Sequence, residues 1–241
     1  MIYLIGTGLY YLNDIPLRAV DLLKKADEVF LERYTNLNDL SCMEEIERTI
    51  GKTIKIKGRD FFESEEPIRI GKAKDIAILV PGDPLAATTH ISLVAGAKKA
   101  GIEVKVVHAS SIFTAAGSTG LSLYKFGAVT SIPMYHERFN ITSFIDTIRR
   151  NKQNGLHSLV LLEALDESRF VSEKEAVEAI KRNGEDIIDE NKVIVLSRIG
   201  SEDEKISMFK RIDEPLKPPL SLIIPGDISK IEEENMNILL G

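Results

Sequence analysis

Three short stretches carry residues whose types and spacing could do chemistry. "IGTGLYY" (5–11) sets Gly6 and Gly8 directly after an apolar run. "VPGDPLAATTH" (80–90) breaks a second apolar run with Pro-Gly-Asp-Pro, and "VHASSI" (107–112) follows a third. Glycines after a strand let other backbone, or a ligand, come close. Asp83 followed by Pro84 has the form of a helix start, an N-cap acid before a proline at the first helical position. Ala86, Ala87, Thr88 and Thr89 keep the next turn slim. Ser110 or Ser111 can cap the segment after the third run. The plain reading of each stretch is local, with Asp83 worth about 1 kcal/mol as a cap. If the three runs are strands of one parallel sheet, their turns converge at its carboxyl edge. Open α/β sheets bind ligands there, and three convergent slim turns favour a pocket over three separate caps.

The first stretch meets the dinucleotide fingerprint halfway. A third glycine would stand where the chain has Tyr11, while the acid expected near the end of the second strand has a counterpart in Glu32. On these residues a nucleotide-type ligand and a bare strand-to-helix turn both stay open. His90, His108, His136 and His157 lack zinc-ligand spacing, so no metal is expected. Cys42 is alone, which forbids an intrachain disulfide and suits a reducing cytoplasm.

The elements that must position these residues are legible as an alternation. Strands are expected at 2–5, 28–33, 53–57, 75–80 and 103–108. Helices are expected at 15–26 with Asp14 as cap, at 39–50 ending on Gly51, at 65–74, and at 84–100 ending on Gly101. Such an alternation implies a mostly parallel sheet with helices on both faces. The stretch 109–127, rich in Ser, Thr, Ala and Gly, marks a boundary, so two α/β domains are expected, 1–112 and 113–241. Beyond it, strands such as "VIVLSRIG", "KISMFKRI" and "LSLIIPG" follow one another without helices between them. That order calls for a mixed second sheet, closed by a helix in "SKIEEENMNILL".

Bulk properties exclude some classes. A net charge of −6 over 241 residues disfavours a general grip on nucleic acid. "MIYLIGTG" lacks a basic leader and reads as a first strand, not a signal peptide. No apolar run approaches the roughly 18–20 residues of a membrane helix, so no membrane partner is expected.

"PGDPLAATTH" together with "HASSIFTAAGSTGLSLYKFG" resembles the diphthine synthase family in its archaeal form. That family belongs to the tetrapyrrole methylase-like class of S-adenosylmethionine-dependent methyltransferases. "IGTGLY", "ERYT" (32–35), "GLHSLVLLEA" (155–164), "VIVLSRIGS" (193–201) and "SLIIPG" (221–226) extend the likeness over nearly the whole chain. The resemblance implies two α/β domains with the cofactor in a cleft between them, and a homodimer. It implies an N-methyltransferase of diphthamide biosynthesis. The substrate is the amino group of an aminocarboxypropyl-modified histidine on translation elongation factor 2, the product is diphthine, and S-adenosylhomocysteine is released.

Carried over position by position, the implied cofactor contacts are Leu9, Asp83, Ala86, Ser111, Ile112, Leu162, Ile199 and Leu220. The chain departs from the family at Leu220, where histidine is usual, and at Glu163, where aspartate is commoner. A leucine leaves only a backbone or packing contact. Leu9 and Tyr10 stand where the wider superfamily prefers a third glycine and an acid.

Methyl transfer from a sulfonium releases a neutral leaving group, so catalysis can rest on alignment of an unprotonated amine. A neighbouring sulfonium pushes that amine towards its neutral form. No general base is assigned. Asp83, His90 and His108 are candidates for it, and Glu32, Tyr34 and Lys125 for the acceptor side. Each also has a plain reading as a cap, strand end or surface residue. The alternatives are a methyltransferase of the same superfamily acting on a tetrapyrrole precursor or ribosomal RNA, and a non-catalytic nucleotide-sensing module.

Overall fold

A computed structural model describes residues 1–10, 12–34, 40–166 and 168–241. Tyr11, Thr35 of "ERYT" and Asp39, where the second helix was expected to begin, lie outside the described residues. The chain divides into two compact units, Met1–Ile112 and Phe113–Gly241.

The first unit runs β1 (Ile2–Gly6), α1 (Leu17–Lys25), β2 (Glu28–Glu32), α2 (Met43–Ile50), β3 (Ile54–Lys57), α3 (Arg59–Phe62), α4 (Glu66–Ala73), β4 (Ile76–Val80), α5 (His90–Lys99) and β5 (Val104–Val107). Its sheet is parallel, in the order β3-β2-β4-β1-β5. The strands carry apolar side chains on both faces because helices cover both. Tyr3, Ile5, Val29, Leu31, Ala77 and Leu79 pack with Leu22 and Leu23 of α1 and Ile50 of α2. The alternate residues Ile2, Leu4, Phe30, Ile76 and Ile78 pack with Phe62 of α3 and Leu93 and Ala97 of α5. β1 and β4 sit at the centre, so the ends of the innermost strands deliver "GTG" and "PGDP" side by side. The helix stops are glycines in the left-handed region: Gly51 has φ 70° and Gly101 φ 75°.

Three starts differ from the sequence reading, the first being α2, which begins at Met43 with residues 40–42 outside it. α1 begins at Leu17 after a single 3₁₀ turn at Leu12–Asp14, with Pro16 at its cap, so Asp14 caps nothing. α5 begins at His90 and not at Pro84. The intervening residues form turns, with Ala87 at φ 54°.

The second unit begins within the short α6 (Ile112–Ala115) and contains β6 (Thr130–Ile132), α7 (Ser143–Gln153), β7 (Ser158–Leu162), α8 (Glu173–Gly184), β8 (Ile194–Ser197), β9 (Lys205–Met208), β10 (Leu220–Ile224) and α9 (Lys230–Leu239). The sheet order is β6-β7-β10-β8-β9. β6 and β7 are parallel, and β10 runs antiparallel to both β7 and β8. This is the mixed sheet expected from strands that lack crossover helices. Phe144, Ile145 and Ile148 of α7 and Val177 and Ile180 of α8 close its core.

Candidate active site

The Pro-Gly-Asp-Pro turn is organised by one carboxylate. Asp83 Oδ1 accepts the Leu85 amide at 3.0 Å, and Oδ2 accepts the Ala109 amide at 3.3 Å and faces His108 Nδ1 at 2.7 Å. The Ala86 amide closes back on the Asp83 carbonyl at 3.1 Å. Asp83 is therefore no helix cap. The Leu85 amide that a helix start would offer is held by Asp83 in a tight turn. The other oxygen ties that turn to the one after β5. Three of about four acceptor positions on the carboxylate are thus filled from within the unit.

The three turns converge. Gly8 and Gly82 pair across β1 and β4, the Gly82 amide donating to the Gly8 carbonyl at 2.7 Å and the Gly8 amide to the Gly82 carbonyl at 3.3 Å. A Cβ on Gly6 would stand 2.5 Å from the Gly82 carbonyl oxygen, 2.8 Å from Ala109 Cβ and 2.9 Å from Pro84 Cδ. Only glycine admits that approach. Gly8 has φ 85°, and a Cβ there would run into Asp14 and meet Ser110 Oγ at 3.1 Å. At Gly82, in contrast, a Cβ would meet nothing within 4 Å. The floor is close-packed and one side of the turn is open. Leu9, Asp83, Ala86 and Ile112 are half-buried around it, and Ser111 is buried.

The other three expected contacts gather at one edge of the second unit's sheet. Leu220 at the start of β10 pairs with Leu162 at the end of β7 on one side and with Ser197 at the end of β8 on the other. Ile199 follows Ser197 by two residues, after Arg198, whose φ is 51°. Leu162 and Leu220 both send their side chains into the hydrophobic core. What they present at the edge is backbone. Among the described residues, no group of three or more His, Cys, Asp or Glu is arranged to hold a metal ion. No described helix is long and apolar enough to cross a membrane.

The model of the Tetrapyrrole (Corrin/Porphyrin) Methylases matches residues 1–211. The chain is 38% identical to the diphthine synthase of Methanococcus aeolicus, over 99% of this chain and 98% of that protein. It is 36% identical to the diphthine synthase of Methanothermobacter thermautotrophicus, over 100% and 96%. The chain belongs to the tetrapyrrole methylases, among the diphthine synthases. A crystal structure of diphthine synthase superposes on this methylase with a TM-score of 0.83 at 26% identity, covering 99% of this chain and 95% of that one. The resemblance carried by "PGDPLAATTH" and "LYKFG" is thereby shown, and with it a methyltransferase fold of two α/β units.

Within the methylase, Glu32 and Lys125 of the acceptor-side candidates are tied up in the fold. Glu32 is fully buried, and its Oε1 takes the Tyr34 amide at 2.7 Å. Its Oε2 lies 3.9 Å from His90 Nε2. His90 is only 2% exposed, and neither ring nitrogen has a hydrogen bond. Its ring sits 6.1 Å from Phe62 and 6.4 Å from Tyr34. Burial pulls its pKa down to about 4. Glu32 and His90 are packing residues at a strand end and a helix start, closed to substrate.

The sign of the His90 effect is fixed by its lowered pKa. The unfolded imidazole, near 6.5, binds its proton first, so His90 stabilises the fold above about pH 6.5 and this is lost as pH falls towards 4. We expect this residue alone to give an acid slope of about 1.4 kcal/mol per pH unit in that window. Urea unfolding of wild type and His90→Phe between pH 7 and 4 checks it: the variant has the flatter profile, and equal slopes would refute the assignment.

Lys125 of "LYKFG" is also withdrawn from the acceptor side. Its ammonium donates to Glu232 Oε2 and to the Asp227 carbonyl. Glu232, at 3% exposure, additionally accepts the Ser122 amide at 3.0 Å and the Ser229 amide at 2.8 Å, and its Oε1 lies 3.1 Å from His157 Nε2. Sequence reasoning found α9 but not this anchor, since its partners are up to 110 positions apart. Glu163 spans the second sheet's edge in a similar way, its Oε2 accepting the Met134 amide at 2.8 Å.

Proposed function

We propose that this methylase transfers methyl groups from S-adenosylmethionine to the amino group of the aminocarboxypropyl-modified histidine of elongation factor 2, forming diphthine. The observation that carries the reading is the convergence of Gly6, Gly82 and Ala109 at the carboxyl edge of β1, β4 and β5, in a chain whose curated relatives are diphthine synthases. The open side at Gly82 and the slim residues after it leave room for a donor to approach. Leu9, Asp83, Ala86, Ser111 and Ile112 of the first unit, with Leu162, Ile199 and Leu220 of the second, are the contact residues of the proposal. The donor, when bound, supplies an electrophilic methyl on a sulfonium.

The chain's own work is to bind, orient and exclude water. The carboxylate of Asp83 holds two turns in register and leaves about one acceptor position unused by them. Leu162 and Leu220 offer backbone groups, in keeping with a leucine where the family usually has histidine. We further propose that the units 1–112 and 113–241 act as the two domains, that the protein is a homodimer, and that it works in the cytoplasm, where the lone Cys42 stays reduced. A tetrapyrrole precursor or ribosomal RNA as acceptor has no feature of the site in its favour.

Calorimetry with S-adenosylmethionine, S-adenosylhomocysteine and NAD tests the donor. Binding of the first two and not the third is expected, and preference for NAD would contradict the reading. For Asp83→Ala we expect a donor affinity at least about tenfold lower, with a stability loss of about 1–2 kcal/mol from the broken turn contacts. Unchanged affinity with a lowered melting temperature would reduce Asp83 to a structural brace.

A further inference from the structure

We propose that His108 is the base that takes the proton from the amine being methylated, and that Asp83 is its positioning residue. The inference rests on the reading of the chain as an amine methyltransferase. His108 Nδ1 lies 2.7 Å from Asp83 Oδ2, yet the His108 side chain is 62% exposed while that of Asp83 is 15% exposed. Asp83 is fixed in turn by the Leu85 and Ala109 amides. A carboxylate at Nδ1 holds the proton on that nitrogen and leaves the Nε2 lone pair free. The result is a basic nitrogen on an anchored ring, beside the turn where Gly6, Gly82 and Ala109 meet.

None of the other histidines combines these properties. His90 is shut in the core. His157 is buried, its Nδ1 accepting the Gly226 amide at 2.9 Å and its Nε2 facing Glu232. His136 has a backbone carbonyl, that of Pro133, at Nδ1 and its ring against Phe144.

The reaction requires such a group. The substrate ammonium must lose a proton before its nitrogen can attack. The N–H bond breaks, its electron pair remains on the nitrogen as the nucleophilic lone pair, and a new N–H bond forms at His108 Nε2. The ring keeps its hydrogen bond to Asp83 and, being exposed, passes the proton from Nε2 to water. The same exchange recurs before each further methylation and ends when the nitrogen carries no hydrogen. Among the described residues, Asp83, on the turn after β4, is the charged group in contact with the ring. On β5 itself and just before it, Lys105 and Glu103 are exposed residues.

His108→Asn keeps an N–H donor for Asp83 and removes the base. Single-turnover transfer to modified elongation factor 2 is measured from pH 6 to 9.5, with donor affinity measured in parallel. We expect a rate about 10²-fold below wild type near pH 7, a deficit that narrows as pH rises and the free amine accumulates, and donor affinity within about twofold. An unchanged rate, a deficit equal at every pH, or a loss confined to KM would overturn the proposal. If wild type itself transfers nothing to the factor, the functional reading fails and takes this proposal with it. Wild-type transfer with an unaffected variant overturns the role of His108 alone.

Discussion

Gly6→Ala is expected to cut methyl transfer about 10²-fold while leaving most of the protein folded. The added Cβ would lie 2.5 Å from the Gly82 carbonyl oxygen, with Ala109 Cβ and Pro84 Cδ inside 3 Å. None of these three neighbours can rotate away, being a backbone oxygen, a Cβ and a ring carbon. The turns must separate, and overpacking of this kind costs about 1–3 kcal/mol. The larger effect falls on function, because a displacement near 1 Å in a positioning site costs about 10²-fold in rate. Gly82→Ala is the control. Its Cβ has free space, but φ 71° imposes a strain of about 1–2 kcal/mol. We expect Gly82→Ala to lose stability with a smaller loss of donor affinity than Gly6→Ala. Calorimetric donor titration and thermal unfolding of both variants separate crowding from strain. Equal donor affinity of Gly6→Ala and wild type would refute the convergence of the turns as the basis of the site.

Glu232→Ala is expected to destabilise the second unit by about 2–4 kcal/mol, because it leaves the Ser122 and Ser229 amides, the buried His157 and the half-buried Lys125 without their acceptor. Glu232 closes the capping box of α9 with Ser229 and binds Lys125, Ser122 and His157 at once. Burial alone would raise its pKa, but the Lys125 ammonium, the Ser229 and Ser122 amides and His157 together hold it well below the usual carboxylate range. A depressed carboxylate stabilises the fold above its unfolded pKa, about 4.3, and that contribution is lost as pH falls through the folded value. Burial, opposed by Glu232, lowers His157, so it too loses stabilisation on acidification, from about pH 6.5 downward. Urea unfolding at pH 7 checks the magnitude. A loss under about 1 kcal/mol would mean the network is no stronger than a surface pair. Glu232→Gln, which keeps the shape, should fall between the two.

The strands were legible because each is an apolar run bracketed by turn residues, and β1 to β5 fall where alternation puts them. The mixed character of the second sheet followed from strands too close in sequence for crossover helices. The start of α5 was misread. Asp-Pro announces a turn as readily as a helix, and the choice was made by Ala109, 26 positions away, whose amide shares the Asp83 carboxylate. The pairing of Asp83 with His108 was hidden for the same reason, since it depends on β4 and β5 lying on either side of β1. Gly6 was readable as a glycine that relieves crowding, but its partners needed the sheet order. His90 and His108 look alike in sequence. Burial alone sends one into the core and leaves the other at the edge.

Labelled methyl transfer measures the central claim most directly. Elongation factor 2 bearing the aminocarboxypropyl histidine, and a tetrapyrrole precursor in a parallel vessel, are each incubated with the protein and methyl-labelled S-adenosylmethionine. We expect label on the modified histidine of the factor and none on the tetrapyrrole. Label on the tetrapyrrole with an unlabelled factor would contradict the assignment.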